Sequence, residues 1–219
     1  AVRDLYDENK VIPYIHIFAL LSNLKKICNH PALFLKDGFN YDQYTSGKWE
    51  LFKELLEEAL ASEQKVVVFS HFLGMLDIIE SYLTSIGVGF ASLRGSTINR
   101  KEEIGRFQND PNCKVFVASL QAGGLGIDLT QASVVIHYDR WWNAARENQA
   151  TDRVHRIGQT RGVQVFKLVT LNSVEERIHE MIEKKARRME EIVGSDDSQV
   201  IKTLSREELI ELLKDSENS

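Results

Sequence analysis

The sequence predicts an α/β fold in which a parallel β-sheet is covered by helices on both faces. Short segments that are apolar throughout recur along the chain, and segments with apolar residues at helical spacing separate them. Strands that are apolar at every position are typical of a sheet buried on both sides, and alternation with helices is typical of parallel connections. At 219 residues the chain is long enough for one domain with a full core and some appendages.

Five segments are the candidate strands of this sheet. They comprise residues 66–69, 90–93, 115–118, 134–138 and 163–169. All are expected to be buried. Apolar residues at helical spacing from Leu73 onward predict a helix that ends at Gly87, and Thr97 is expected to cap the next helix, which stops before Asp110-Pro111. The predicted strand ends share one edge of the sheet, where ligands bind in such folds.

Helices are also predicted at both ends of the chain. Residues 11–28 carry apolar side chains at helical spacing and predict a helical appendage. Ser173 and Glu176 form a capping-box pattern that opens a long amphipathic helix, and Ser205 with Glu208 forms a second one before a short helix. The predicted organisation is a lead-in appendage over residues 1–48, an α/β lobe over 49–193, and an acidic linker with a short helix over 194–219.

Composition excludes several classes of protein. No apolar run approaches about 18 residues and no basic-then-apolar amino terminus is present, so neither a membrane span nor a signal peptide is indicated and no membrane partner is expected. Cys28 and Cys113 are too few for a disulfide framework and lack zinc-site spacing, so no metal-binding site is predicted. This cysteine usage favours a reducing, intracellular compartment.

The net charge of −5 is unevenly distributed along the chain. Residues 190–219 contain nine acids and three bases, a balance of −6 that leaves about +1 for everything before them. Residues 140–167 contain six bases and two acids. This stretch is therefore locally basic, as contact with phosphates requires.

The basic stretch includes the most informative segment, which runs from Gln149 to Gln159. Arg153 and Arg156 lie three apart within it, and two residues at this spacing on a helix point the same way. A guanidinium is the side chain best matched to phosphate oxygens, so the pair predicts a helix face that binds an anion from outside the domain. For an arginine pair considered alone, a solvated basic face is the alternative.

Five segments of the chain follow one another in a characteristic order. They are residues 65–72 (KVVVFSHF), 93–97 (LRGST), 117–130 (VASLQAGGLGIDLT), 138–143 (YDRWWN) and 149–159 (QATDRVHRIGQ). With residues 20–33 upstream and 174–178 downstream, they resemble the second RecA-like lobe of superfamily-two helicases, specifically of the Swi/Snf-type (Rad54-like) double-stranded-DNA translocases. The resemblance spans about residues 10 to 193 and implies a RecA-like lobe.

The resemblance implies phosphoryl-transfer chemistry completed from a neighbouring lobe. It makes Arg153 and Arg156 arginine fingers, with Arg156 the nearer to the γ-phosphate, and it makes Gln149 a residue that orients this segment toward nucleotide. Neither a G-x-x-x-x-G-K-[ST] loop nor an Asp-Glu-x-His motif occurs. ATP and magnesium are therefore expected to be held mainly by an N-terminal RecA-like lobe of the same polypeptide, and this chain alone is expected to be inactive.

The glycine-rich part of the third segment is implied to contact ATP. Small residues let a backbone approach a phosphate closely, and the family's fifth motif implies such contacts for Gly124, Gly126 and Asp128. The family commonly has asparagine at the position of Asp128; an acid can accept from a ribose hydroxyl but repels a phosphate. A Rossmann fingerprint would need a third glycine where Leu129 stands, so a dinucleotide site is disfavoured.

Polar groups at strand ends and helix starts are candidates for holding DNA, since such groups and nearby amides hold phosphate backbones without reading bases. With the residues that the resemblance adds, the candidates are Ser70, His71, Arg94, Ser96, Thr97, Ser119, Gln121, Trp142 and Asn143. Helix capping is an equally good explanation for any one hydroxyl. Bases are stacked in an intact duplex, so at least one of Trp141 and Trp142 is expected to pack rather than stack on a base.

Three functions are consistent with the sequence. The favoured one is the second motor lobe of an ATP-dependent double-stranded-DNA translocase that remodels protein–DNA complexes or acts in recombination, with DNA-bound proteins as further partners. The second is a lobe of an RNA- or DNA-unwinding helicase, which the Trp-Trp-Asn block and the Arg-Ile-Gly-Gln ending disfavour. The third is a non-catalytic nucleic-acid-binding module, against which both arginines argue. The compact lobe favours a prokaryotic, cytoplasmic protein; a eukaryotic one is expected in the nucleus.

Overall fold

The structure is a computed structural model, and it describes residues 2–123, 127–140, 142, 144–156, 159, 162–189 and 201–214. Its strands are β1 (Val66–Ser70), β2 (Gly89–Leu93), β3 (Cys113–Ser119), β4 (Val134–His137) and β5 (Gln164–Lys167). Its α-helices are α1 (Val2–Leu5), α2 (Tyr14–Asn29), α3 (Pro31–Leu35), α4 (Gly47–Ala61), α5 (Leu73–Ser85), α6 (Arg100–Asn109), α7 (Leu120–Gly123), α8 (Ala144–Thr151), α9 (Val174–Met189) and α10 (Arg206–Leu213), and a 3₁₀ helix covers Gly38–Gln43. Among these helices none is long and apolar enough to cross a bilayer.

The five strands form one parallel sheet in the order β2-β3-β1-β4-β5. In the central strand, Val68 lies beside Val117 of β3 on one side and Ile136 of β4 on the other. All of β1 is buried, as its continuous run of apolar residues predicts. The predicted parallel sheet is therefore confirmed, and the carboxyl ends of its strands share one edge.

Helices cover both faces of this sheet, and each face has its own core. Because strand side chains alternate between faces, Val68 enters a core with Phe52 of α4 and Leu76 of α5, whereas Val67 enters a second core with Phe107 of α6. Ala150 of α8 joins that second core. Fully burying a valine, leucine or phenylalanine side chain contributes roughly 1.5–3 kcal/mol to the stability of the fold. The helix layers on both faces therefore help to hold the sheet, and with it the carboxyl edge, in place.

A third core joins the two ends of the chain. Leu21 of α2 packs with Ile178 of α9 and Leu209 of α10, and Trp142 is buried among them. The capping box of Ser205 before α10 forms as predicted, with Glu208 as its partner. The lead-in and terminal helices thus pack against each other beside the α/β lobe.

The last strand differs from its prediction. Residues 163–169 were expected to be a buried strand, but β5 is shorter and three of its four residues, including Val165, are exposed. The reason is its position: β5 pairs with β4 alone among the described strands and lies at the edge of the sheet. Apolar character alone does not distinguish an edge strand from a central one.

Two helix starts also differ from the sequence pattern. Thr97 does not cap a helix: its hydroxyl accepts from the N–H of Arg94 at 2.8 Å and its own N–H donates back to the Arg94 carbonyl at 3.1 Å, so it closes a turn, and α6 begins three residues later. At α9 the Ser173 hydroxyl accepts from Glu175 N–H. Glu176 accepts from the N–H of Asn172, which adopts a left-handed φ of 52°, rather than from Ser173. The predicted box is displaced by one residue.

Candidate functional site

The ends of β1, β2 and β3 surround a cleft at the carboxyl edge of the sheet. The strand-end cleft has a volume of about 310 Å³. It is lined by His71, Leu73, Arg94, Gly95, Ser96, Ser119, Leu120 and Gln121. Five of the predicted DNA-contacting residues therefore lie together, although they are spread over about fifty positions of sequence. Ser96 and Gln121 are exposed there.

Arg94 is the cationic residue of this cleft, and it is held by two acids. Its guanidinium contacts Asp77 at 2.6 Å and Glu80 at 2.8 Å, both on α5. These carboxylates orient the guanidinium and offset its charge. A phosphate that reaches the cleft therefore meets a guanidinium that is already oriented. Because the two carboxylates offset its charge, Arg94 adds only limited electrostatic attraction.

His71 lines the cleft as a neutral ring. Burial lowers its pKa to about 3, and the positive charges of Lys25 and Arg146 lower it further in the same direction. At neutral pH the imidazole is uncharged and can donate one hydrogen bond without contributing a charge. Its backbone N–H is already used by Asp139, at 3.0 Å.

Ser70 does not lie on the surface, contrary to its assignment as a DNA contact. It is fully buried, its hydroxyl donates to Asp139, and it accepts from Phe72 N–H at 3.1 Å. The Ser119 hydroxyl, also nearly buried, accepts from the N–H of Ala122 at 3.4 Å and caps the short helix α7. Both hydroxyls are used in turns at the strand ends, as the capping alternative predicts, although Ser119 also lines the cleft.

Trp142 is likewise not available to DNA. Only 2% of its surface is exposed, and it packs in the third core with Lys25 Nζ 5.7 Å from the ring centroid. Its assignment as a DNA contact was therefore wrong, and the expectation that at least one of the paired tryptophans packs is confirmed. An indole is large and apolar, so the space between α2 and α9 buries it. Trp141 and Asn143 lie outside the described residues.

A group of buried charges joins the lead-in helices to the lobe, and sequence reasoning did not find it. This buried ionic seam consists of Lys25, Lys48, Asp139, Arg140, Glu147 and Glu175, each less than a tenth exposed. Lys25 Nζ donates to the Arg140 carbonyl at 2.8 Å, and Lys48 pairs with Glu175. Burial raises the pKa of Asp139, while Lys25 opposes that shift. Ile17, Leu21 and Lys25 lie four apart on α2, so a lysine on its apolar stripe was the available signal.

Arg140 is the centre of the seam on the lobe side. Its Nε donates to Glu147 at 3.1 Å and its guanidinium also contacts His179 of α9. Glu147 in turn lies 3.4 Å from Lys167 of β5. These contacts tie the segment after β4 to α8 and α9, and α8 to β5.

The two candidate arginine fingers lie on a turn, not on a helix. The expected helix ends at Thr151, and the arginine turn, defined here as residues 151–156, follows it. Leu129 N–H donates to the Arg153 carbonyl at 3.0 Å. That oxygen therefore already has a partner from another loop, and buried Val154 pulls the chain onto the second core. Arg153 is half-buried and Arg156 is exposed.

The arginine turn is anchored at its first residue by the sheet. The Thr151 hydroxyl lies 2.9 Å from His137 Nε2, and the His137 ring stacks on Phe69 with centroids 5.4 Å apart. Burial lowers the pKa of His137 to about 4, so the ring is neutral at physiological pH. Gln149, the other predicted nucleotide-side residue, is exposed on α8 immediately before this turn.

The predicted fifth-motif contacts lie partly outside the described residues, which is where Gly124 and Gly126 fall. Asp128 is exposed, and its carboxylate accepts from Thr130 N–H at 3.0 Å and from the Thr130 hydroxyl at 2.8 Å. The acid that replaces the family's usual asparagine therefore shapes its own loop. Within the described part of the chain, no group of three or more His, Cys, Asp or Glu side chains could hold a metal ion.

The chain is similar in sequence to known helicase-like ATPases. Residues 47–158 match the helicase conserved C-terminal domain. The chain is 38% identical over 202 residues to the putative ATP-dependent helicase/translocase YwqA of Bacillus subtilis, covering 90% of this chain and 21% of that protein. It is 37% identical over 227 residues to the human SWI/SNF-related matrix-associated actin-dependent regulator of chromatin subfamily A member 1, covering 96% of this chain and 21% of that protein. The chain thus spans about a fifth of the length of the curated relatives it matches.

Two solved structures from Sulfolobus solfataricus are similar throughout the chain. The SWI2/SNF2 ATPase C-terminal domain matches with a TM-score of 0.73 and 34% identity, covering 96% of this chain and 88% of that one. The SWI2/SNF2 ATPase core in complex with dsDNA matches with a TM-score of 0.76 and 38% identity, covering 96% of this chain and 45% of that one. These likenesses confirm the RecA-like lobe fold.

Proposed function

We propose that this chain, which belongs to the helicase conserved C-terminal domain family and is the C-terminal lobe of a Swi/Snf-type ATPase, works as the second motor lobe of an ATP-driven double-stranded-DNA translocase. The observation that carries the proposal is the position of two phosphate-suited surfaces on one lobe. The strand-end cleft is formed where β1, β2 and β3 end, and the arginine turn follows α8, the helix after β4. The same sheet therefore positions both surfaces.

The arginine turn suits a phosphate that arrives on another lobe. Arg156 is exposed while the backbone around it is fixed by Thr151, Arg153 and Val154. Hydrolysis of a γ-phosphate develops charge on the transferring oxygens, and an arginine supplied in this way contributes about 10³ to 10⁵ in rate. This rate factor corresponds to roughly 4 to 7 kcal/mol of transition-state stabilisation, so closure of the lobes would control turnover.

ATP and magnesium fit this lobe only in part. Arg153 and Arg156 can meet the γ-phosphate and Gln149 lies beside them, whereas the described residues hold no cluster of metal ligands. We therefore assign the ion, whose charge neutralises phosphate oxygens when bound, to the first lobe of the same polypeptide. The isolated chain should then show no DNA-stimulated ATP hydrolysis; robust turnover by the purified 219-residue chain would contradict this.

The strand-end cleft suits a DNA backbone rather than bases. It offers a neutral imidazole from His71, the exposed side chains of Ser96 and Gln121, and an arginine whose charge is largely balanced by acids. Such groups donate hydrogen bonds to phosphates and carry no sequence information. The motor should therefore track DNA without sequence preference.

The relatives support a proposal for the partners and the compartment of this protein. The bacterial relative is named as a helicase/translocase and the human one as a regulator of chromatin, and we propose that this protein acts on double-stranded DNA and on proteins bound to it. A prokaryotic source would place it in the cytoplasm, and a eukaryotic source in the nucleus.

The deciding experiment compares DNA substrates in the full-length protein. ATP hydrolysis should be stimulated by duplex at least as strongly as by single strands of matched length, and a third strand should be displaced from a triplex without separation of the duplex. Stimulation by single strands alone, with strand separation, would instead support the unwinding-helicase function.

A further inference from the structure

The side chain of Gln159 bridges two loops. Its Nε2 amide donates to the carbonyl oxygens of Thr130 and Ala132, at 3.1 and 2.8 Å, and lies 3.4 Å from the carbonyl of Val154. Its backbone N–H donates to the Arg156 carbonyl at 2.9 Å. An amide nitrogen carries two protons, so the two shorter contacts use both of them. Gln159 therefore holds the backbone of Arg156 and a neighbouring loop at once.

The neighbouring loop, residues 127–133, is itself fixed. Asp128 accepts two hydrogen bonds from Thr130, and the Ala132 N–H donates to the Leu129 carbonyl at 3.0 Å. The Leu129 N–H reaches across to the Arg153 carbonyl, also at 3.0 Å. The arginine turn is thus attached to this loop at two points. The Arg153 carbonyl accepts from Leu129, and the side chain of Gln159, three residues after the turn, donates to the carbonyls of the loop.

The docking site for the Gln159 amide accepts only a hydrogen-bond donor. All three facing groups are backbone carbonyl oxygens, which cannot change their role. A carboxylate of the same shape would place negative charge against three oxygens and would leave them without a donor.

We propose that Gln159 is a positioning residue for phosphoryl transfer: its amide fixes the arginine turn on the 127–133 loop, and thereby holds Arg156 where the transferring phosphate develops charge. The proposal rests on the arginine-finger function proposed above. Gln159 does not touch the phosphate; it acts through the backbone of Arg156. Because transition-state contacts depend on placement to within about 1 Å, release of this anchor should reduce turnover much more than nucleotide binding.

The test compares Gln159→Glu with Gln131→Glu in the full-length protein. Gln131 lies in the same loop but is exposed, so the control adds the same charge without touching the docking site. Gln159→Glu should lower kcat at saturating ATP and duplex DNA by roughly 10- to 100-fold with KM for ATP little changed. The loss should shrink as the pH falls toward 5, since a protonated carboxyl donates again. Gln131→Glu should behave as wild type at every pH.

The outcomes separate this proposal from the one on which it rests. Equal kcat for the two glutamate variants overturns the role of Gln159, as does a loss that follows thermal stability and shows no recovery at low pH. If Gln159→Glu does not fold, Gln159→Met removes the donors without adding charge and carries the same kcat and KM comparison. Arg156→Ala is measured alongside: normal turnover there defeats the arginine-finger function itself, whereas an inactive Arg156→Ala with a normal Gln159→Glu defeats only the positioning role.

Discussion

The buried ionic seam and the arginine turn both use arginine, in opposite surroundings. Arg140 is fully buried, with Glu147 3.1 Å from its Nε and His179 beside it. Arg156 is exposed on a turn whose backbone is anchored from several sides. A buried guanidinium that pairs with neighbouring elements holds them together, whereas an exposed one on a fixed backbone can meet an incoming anion. Substitution at the two sites should therefore affect different properties of the protein.

The largest effect is expected at the arginine turn. In the full-length protein, Arg156→Ala should lower kcat by about 10³ or more while nucleotide affinity changes little, because the lost contact forms mainly in the transition state. Arg156→Lys should not restore activity, since an ammonium cannot make the two-pronged contact. Both variants should melt within about a degree or two of wild type, since surface substitutions usually change stability by less than about 0.5 kcal/mol. Near-normal turnover would assign Arg156 to the solvated surface.

At the seam the effect should be on stability. Arg140→Met removes the buried guanidinium 3.1 Å from Glu147 and should destabilise the fold by about 3 to 5 kcal/mol in denaturant unfolding. Arg3→Met, at an exposed position, is the matched control and should be nearly neutral. Combining Arg140→Met with Glu147→Leu should recover much of the loss, because the unpaired charge is then gone. A neutral Arg140→Met would show that the seam does not stabilise the fold.

A smaller effect, visible only in acid, is expected behind the arginine turn. Burial lowers the pKa of His137 to about 4 from 6.5; Arg140 and Lys167 act in the same direction and Glu147 opposes them. The folded-state pKa lies below the unfolded one, so the unfolded chain takes up the proton first. Stability is unaffected above about pH 6.5 and is lost as the pH falls toward 4, by about 3 kcal/mol in total.

Unfolding at pH 7.5 and at pH 4.5 measures this loss. His137→Gln should reduce this acid sensitivity but not abolish it, because burial also lowers the pKa of His71. A glutamine in place of exposed His16 should leave the sensitivity unchanged. The same acid sensitivity in wild type and His137→Gln would rule out His137 as its source.

The smallest expected effect concerns DNA binding by this lobe alone. Two to four phosphate contacts predict a slope of roughly −2 to −4 in a plot of log affinity against log salt concentration. Labelled duplex should bind weakly, without sequence preference, and at least as well as a single strand of matched length. A strong preference for single strands, or a slope near zero, would remove the strand-end cleft as a duplex-contacting surface.

The sequence predicted the sheet well and the seam not at all. A central strand such as β1 is apolar at every position, and the local pattern is sufficient to identify it. The end of α8 is different, because the hydrogen bond from Leu129 to the Arg153 carbonyl joins residues 24 positions apart. No local pattern reports such a contact. For the same reason the sequence predicted neither the burial of Lys25 nor which of the two tryptophans packs.

The candidate site was predicted by position more accurately than by role. His71, Arg94, Ser96, Ser119 and Gln121 do line one cleft, because the carboxyl ends of parallel strands meet at one edge. Which groups face solvent depends on local turns, which the hydroxyls of buried side chains such as Ser70 and of Thr97 help to form. Short polar residues at strand ends can line the cleft or close turns, and sequence alone does not distinguish these two roles.

The central claim is that Arg156 acts on the transition state of phosphoryl transfer, and binding of a transition-state analogue tests it most directly. In the full-length protein with saturating duplex DNA, the affinities of wild type and Arg156→Ala would be measured for a non-hydrolysable ATP analogue and for ADP with aluminium fluoride. We predict nearly equal affinity for the ATP analogue and an affinity for the aluminium fluoride complex that is lower in the variant by about 10³. Equal losses for both ligands, or no loss for either, would contradict the account.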